Sequence, residues 1–147
     1  MKFVKAILIG AVVVAGAAYA KGDRTDPNAK ARSDLMRDIG KNIGVLGDMA
    51  GGKAAYDAAA AEAAKAALVA DAAAIEAAFK DQGGADPASE AKPEIWTNWD
   101  EFLADAKALG DAAAAMDVAS AETIGAGMGA LGGTCKDCHT EFRMATN

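Results

Sequence analysis

Apolar positions recur every three or four residues in four separate stretches of the chain, and no segment alternates with the two-residue period of a half-buried strand. The first stretch predicts a helix with Asp26 as N-cap and Pro27 at the first helical position, where the missing N–H has no intrahelical partner to lose. Leu35, Ile39, Leu46 and Ala50 form its apolar face, with Met36, Ile43 and Met49 alongside, and Gly51-Gly52 stops it. The second helix starts near Asp57, runs through an alanine tract and carries Leu68, Ala72, Ile75 and Phe79 on one side. Gly83-Gly84, Pro87 and Pro93 then mark a long connection. Asn98 with Glu101 has the form of a capping box for the third helix. The buried side of that helix reads Trp99, Phe102, Leu103, Ala106, Leu109, Ala113 and Met116. Ser120 caps the fourth, where Ile124, Met128, Leu131, Cys135, Cys138 and Phe142 follow at spacings of four and three. That a/d seam is the pattern of a helix packed in a bundle.

Two short connections around one long crossing suit an all-α, antiparallel four-helix bundle. Alanine dominates the composition, which favours helix. Each alanine buries little apolar area, worth about 25 cal/mol per Å², so the helices pack closely over a core that is not rich. Anything large and apolar held between them would supply much of the missing core.

Residues 1–20 read as a secretory signal. Lys2 and Lys5 give a basic start, Ala6 to Ala18 is an apolar run, and Ala18-Tyr19-Ala20 fits a small-x-small cleavage site. The run is too short to span a bilayer comfortably, so no stable membrane insertion is expected after cleavage. Residues 21–147 then form one domain, and export predicts a periplasmic location. The removed stretch holds two lysines and no acid, which takes the side-chain charge from −6 to −8. Such an acidic domain is a poor partner for nucleic acid or anionic membrane, and it suits protein partners with a basic docking patch.

Chemistry concentrates at Cys135-Lys136-Asp137-Cys138-His139. C-x-x-C-H is the attachment signature of c-type haem: two thiols bond the vinyl groups and the histidine ligates iron. Residues three apart share a helix face, so both sulfurs can meet one edge of a flat ring. A dithiol or half of a zinc site uses the same cysteines. A zinc site needs four ligands, whereas the chain has two cysteines and one histidine in all. A thioredoxin-like dithiol needs a βαβ setting, and no strand is predicted. One covalent haem c is therefore expected, held in the bundle core because both cysteines lie on the seam.

A haem motif at the end of a bundle resembles the class II c-type cytochromes, the cytochrome c-prime superfamily. The resemblance rests on Arg32-Ser-Asp-Leu-Met36-Arg-Asp-Ile-Gly40, Val45-Leu46-Gly47, Pro93-Glu-Ile-Trp96, and Cys135 to His139 with Phe142-Arg143. Class I cytochromes place a methionine ligand far downstream of the motif, whereas eight residues follow His139 here. The resemblance implies a four-helix bundle with His139 as proximal ligand, and it divides by what stands opposite. High-spin members leave iron five-coordinate and bind NO or CO. Low-spin members use a first-helix methionine as sixth ligand and transfer electrons.

No second histidine exists, Met1 leaves with the signal, and Met128 and Met144 share the motif's own stretch, which leaves Met36, Met49 and Met116. The resemblance singles out Met36, and the Arg32-x-x-x-Met36 spacing and the stretch through Gly47 look closer to the methionine-ligated branch. Core filling is the ordinary alternative for a methionine. The resemblance also implies a propionate contact for Arg32; Arg143, one turn after His139, either does the same or tunes the imidazole, and each otherwise reads as a solvated helix charge. Trp96, Trp99, Phe102 and Tyr56 either line the haem or simply fill the core. The function expected is outer-sphere electron transfer with His139/Met36 ligation. The alternative is a five-coordinate gas-binding protein. An enzyme is not expected, because no acid/base or nucleophilic constellation accompanies the motif. Relatives occur as monomers or homodimers, and both fit this chain.

Overall fold

In the computed structural model, which describes residues 23–145, Asp26 and Pro27 open α1 (Pro27–Ala50) as their chemistry requires. Asp26 is extended and its Oδ1 accepts the Ala29 N–H at 2.8 Å. Asp57 caps α2 (Ala58–Phe79) in the same way, accepting from Ala60 N at 2.9 Å. A single helical turn, α3 (Glu94–Thr97), precedes α4 (Trp99–Ala115). Ser120 opens α5 (Ala121–Phe142) by exchanging hydrogen bonds with Thr123. The stretch read as a signal lies outside the described residues.

The capping box expected at Asn98 does not form. The Asn98 backbone N–H still closes α3 by donating to the Glu94 carbonyl at 2.8 Å, and its ψ of 47° is not the extended geometry a capping side chain needs. The short helix, which the periodic pattern did not predict, consumes the residue that was to cap its successor.

The four long helices close in a ring, α1 against α2 and α5, and α4 against α2 and α5. Short turns at 51–57 and 116–120 make consecutive pairs antiparallel. One end therefore gathers the starts of α1 and α4 and the finishes of α2 and α5. Leu46, Leu68, Phe102, Ile124 and Leu131 are fully buried along the axis. Alanines on α2 let its neighbours approach closely, and a Cβ on Gly110 of α4 would already touch Ala72 at 3.4 Å. At the far end, Tyr56 Oη donates to the Val118 carbonyl at 2.8 Å and Lys65 Nζ to that of Met116 at 2.7 Å.

Residues 80–93 cross the gathered end and are tied on both sides. On the α1 side, Thr25 and Asp26 N–H groups donate to Asp86 Oδ2 at 2.8 and 2.9 Å, while Gly84 N–H donates to Asp26 Oδ2 at 2.8 Å. Gly83 sits at φ +71°, and any Cβ there would stand 2.5 Å from Asp26 Oδ1, so only glycine permits the approach. On the α5 side, Ala91 pairs with Arg143 in an antiparallel bridge. Lys92 N–H donates to the Phe142 carbonyl at 3.0 Å and Met144 N–H to that of Glu90 at 2.8 Å.

Candidate functional site

The crossing roofs a cavity of about 480 Å³ at this end of the bundle. Its wall is aromatic. Phe79 of α2, Phe102 of α4 and Phe142 of α5 all line it, with Phe102 in the middle. The Phe102 ring centroid lies 5.0 Å from Phe79 and 5.4 Å from Phe142. The other face of the Phe102 environment is closed by Trp99, stacked at 5.6 Å. Bulky rings at these positions give the cavity an apolar inner wall.

The candidate iron and haem residues reach this cavity from two helices. Met36 lines it from α1, Cys138 and His139 from α5. Cys135, one turn earlier on α5, is half-buried against the core. Burial raises the pKa of both thiols, and at Cys138 the carboxylate of Asp105 adds to it, pushing that thiol to about 12. Burial thus disfavours the thiolate form of Cys138 as long as its sulfur is unbonded. His139 remains solvent-exposed overall, yet crowding around the ring, and then the charge of Arg143, lowers its pKa, while Glu90 opposes the shift. The imidazole is favoured in its neutral form, which alone can ligate a metal.

The two arginines do different things. Arg32 is 5% exposed, and its guanidinium lies between the rings of Phe79 and Trp96, 5.7 and 5.3 Å from their centroids. Its Nη1 and Nη2 donate to the carbonyls of Asp81 and Gln82 at 2.9 and 3.2 Å. Burial lowers its pKa, and Asp26, Asp81 and Asp86 oppose that shift by favouring the charge. The third donor nitrogen, Nε, is buried and has no hydrogen-bond partner among the described residues. Arg143 is clamped by Glu90, whose Oε2 accepts from Nε at 2.7 Å and Nη2 at 2.6 Å.

These residues fit a haem. An aromatic slot suits the macrocycle, thiols and an imidazole stand on one helix, and an orphaned buried N–H on a cavity-lining arginine suits a carboxylate. A profile of the family described as Cytochrome C′ matches residues 28–143, all but the margins of the described chain. The chain belongs to the cytochrome c′ family. It is 35% identical to a cytochrome c-556 of Agrobacterium fabrum, over 98% of this chain and 96% of the relative. The fold matches oxidized cytochrome c556 of R. palustris with a TM-score of 0.73 and 28% identity, over 82% of this chain and 98% of that one. It matches cytochrome c′ from Rhodobacter Spheriodes with a TM-score of 0.71 and 31% identity, over 81% and 96%. As a member of the cytochrome c′ family the protein is a monohaem c-type cytochrome that carries covalent haem c in a four-helix bundle, and it works with redox protein partners.

Of the four aromatic residues left open between haem and core, Phe102 lines the cavity, and Trp96 and Trp99 pack against the core. Tyr56 lies at the opposite end of the bundle, bonded to Val118, because the turn before α2 is remote from the cavity. Trp96 stands behind Arg32 with its Nε1–H donated to the Phe79 carbonyl at 2.7 Å, and Trp99 backs Phe102; both support the wall from outside. Phe79, Ser89, Glu90 and Ala91 line the cavity without having been singled out as site residues. The helical period marked Phe79 as core, but nothing local shows where residues 89–91 return.

Proposed function

We propose that the protein is a periplasmic electron carrier in which His139 is the proximal and Met36 the distal ligand of a haem attached through Cys135 and Cys138. One observation carries this reading: Met36 and His139 enter a single cavity from two different helices. Haem c supplies the one-electron ferric/ferrous couple. With haem bound, the neutral imidazole of His139 would offer its lone pair to iron, and the Met36 thioether would favour the ferrous state. The three phenylalanines hold water away, and a low-dielectric wall disfavours the extra ferric charge. Arg32, with Nε–H still open, is the donor for a propionate. Arg143, held by Glu90, contributes its charge near His139. The mature charge of −8 and the carboxylates of Asp105, Asp137 and Glu141 near Cys138 support a partner with a basic docking patch. Among the described residues no helix is long and apolar enough to cross a membrane, and export would rest on residues 1–20.

One visible spectrum tests the ligation. The ferrous protein is expected to be low-spin and unchanged by added CO, and Met36→Ala is expected to make it high-spin and CO-reactive. A wild-type spectrum that shifts promptly with CO would replace the electron carrier with the five-coordinate, gas-binding alternative.

A further inference from the structure

We propose that residues 80–93 are a brace that sets the position of α1 relative to α5, and that Asp86 is the positioning residue that keeps Met36 seated opposite His139. The inference rests on the Met36 reading and adds to it a reason why the methionine stays in place.

α1 and α5 carry the two ligand candidates, yet their direct seam is the sparsest of the four in the bundle. The crossing makes up the difference from outside. Asp86 takes two backbone N–H groups from the segment leading into α1, and Arg32, one turn before Met36, grips the carbonyls of Asp81 and Gln82. A few residues further on, the same segment is bonded to α5 through Ala91–Arg143, Lys92–Phe142, Glu90–Met144 and the Glu90–Arg143 ion pair. Lys92 Nζ adds the Glu141 carbonyl at 2.8 Å. Ser89 lies between these two anchorages and lines the cavity, as do Glu90 and Ala91 of the α5 anchorage. A displacement of α1 away from α5 must therefore break one anchorage or the other. Asp86 is the weak link to test because it does not line the cavity, so altering it leaves the chemistry of every ligand candidate unchanged. Its Oδ1 also accepts the Ala88 N–H at 2.8 Å, which shapes the turn itself.

The experiment uses the haem-loaded, ferrous protein and measures CO association by rapid mixing for wild type, Asp86→Ala and Asp86→Asn. Loss of three charge-assisted bonds, two of them to the segment leading into α1, is expected to speed CO association at least about tenfold in Asp86→Ala. Asp86→Asn keeps one carbonyl oxygen for Thr25 and Asp26 and is expected to fall between the two. Far-UV circular dichroism of each variant reports whether the bundle is intact. If Asp86→Ala loses its helices, the ratio is read in Asp86→Asn, for which about threefold is expected by the same bond count. Variant rates within about twofold of wild type, with helices retained, overturn the brace. A wild-type rate that is already fast overturns the Met36 ligation instead. In that case the brace still sets how closely α1 covers the open position, and the variant-to-wild-type ratio decides it as before.

Discussion

Phe102→Ala removes the residue on which the cavity wall is centred. Phe102 is 2% exposed and its ring meets Phe79, Trp99 and Phe142 at 5.0, 5.6 and 5.4 Å. A buried phenylalanine cut to alanine costs about 3–5 kcal/mol through lost transfer energy and the space left behind. Three ring pairs, each worth about 0.5–1.5 kcal/mol beyond area, place this site towards the top of that range. Against a total stability of about 5–15 kcal/mol the loss is large. Ile124→Ala is the matched control: fully buried at the far end of the bundle, it should cost about 2–5 kcal/mol without touching the cavity. Guanidinium unfolding of the haem-loaded proteins, followed by circular dichroism, gives both costs, and the Soret band reports the haem environment. Both variants should lose stability, and only Phe102→Ala should move the Soret band. A cost below about 2 kcal/mol for Phe102→Ala would refute the wall as a load shared by three rings. So would an equal Soret shift in Ile124→Ala.

Acid should loosen the crossing. Hydrogen bonds from backbone N–H groups hold both carboxyls below their ordinary pKa, chiefly those of Ala29 at Asp26 and of Asp26 at Asp86. Their contribution is therefore complete above the unfolded pKa of about 4 and is lost as pH falls through the lower folded values. Asp105 works in the opposite sense, because burial, then Asp137 and Glu141, raises its pKa. Melting temperatures should hold down to about pH 5 and drop below about pH 4, with a shallower drop in the Asp86→Asn variant. A Cys135→Ala, Cys138→Ala double variant should fail to retain haem and lose most of its cooperative melting. Native-like helix content in that variant would show that the alanine-rich helices sustain the bundle alone.

Helix starts were legible because they are local chemistry: Asp26 with Pro27, Asp57, and Ser120 each satisfy an N–H within three residues. The seam of α5 was legible for the same reason, since spacing alone puts Cys135 and Cys138 on one face. What escaped depends on residues far apart in sequence. Arg32 finds Asp81 and Gln82 about fifty positions away, and no period in α1 announces that a buried cation will end on carbonyls rather than in solvent. The return of Glu90 and Ala91 to α5 is invisible for the same reason, as is the placement of Tyr56 against Val118. Asn98 failed differently. Its capping pattern was intact, but the turn of α3 before it had already claimed the backbone.

The compositions of α2 and α5 have a consequence for the order in which the chain can organise itself. α2 is mostly alanine, the residue with the highest intrinsic helix propensity. α5 contains Gly125, Gly127, Gly129, Gly132 and Gly133, which together cost about 4–5 kcal/mol relative to alanine in an isolated helix. Before tertiary packing, α2 samples its native conformation readily while the stretch leading to the two cysteines stays largely coil. The glycines thus make α5 a helix that holds only once its neighbours have packed on it, whereas α2 carries its own helical tendency into the bundle.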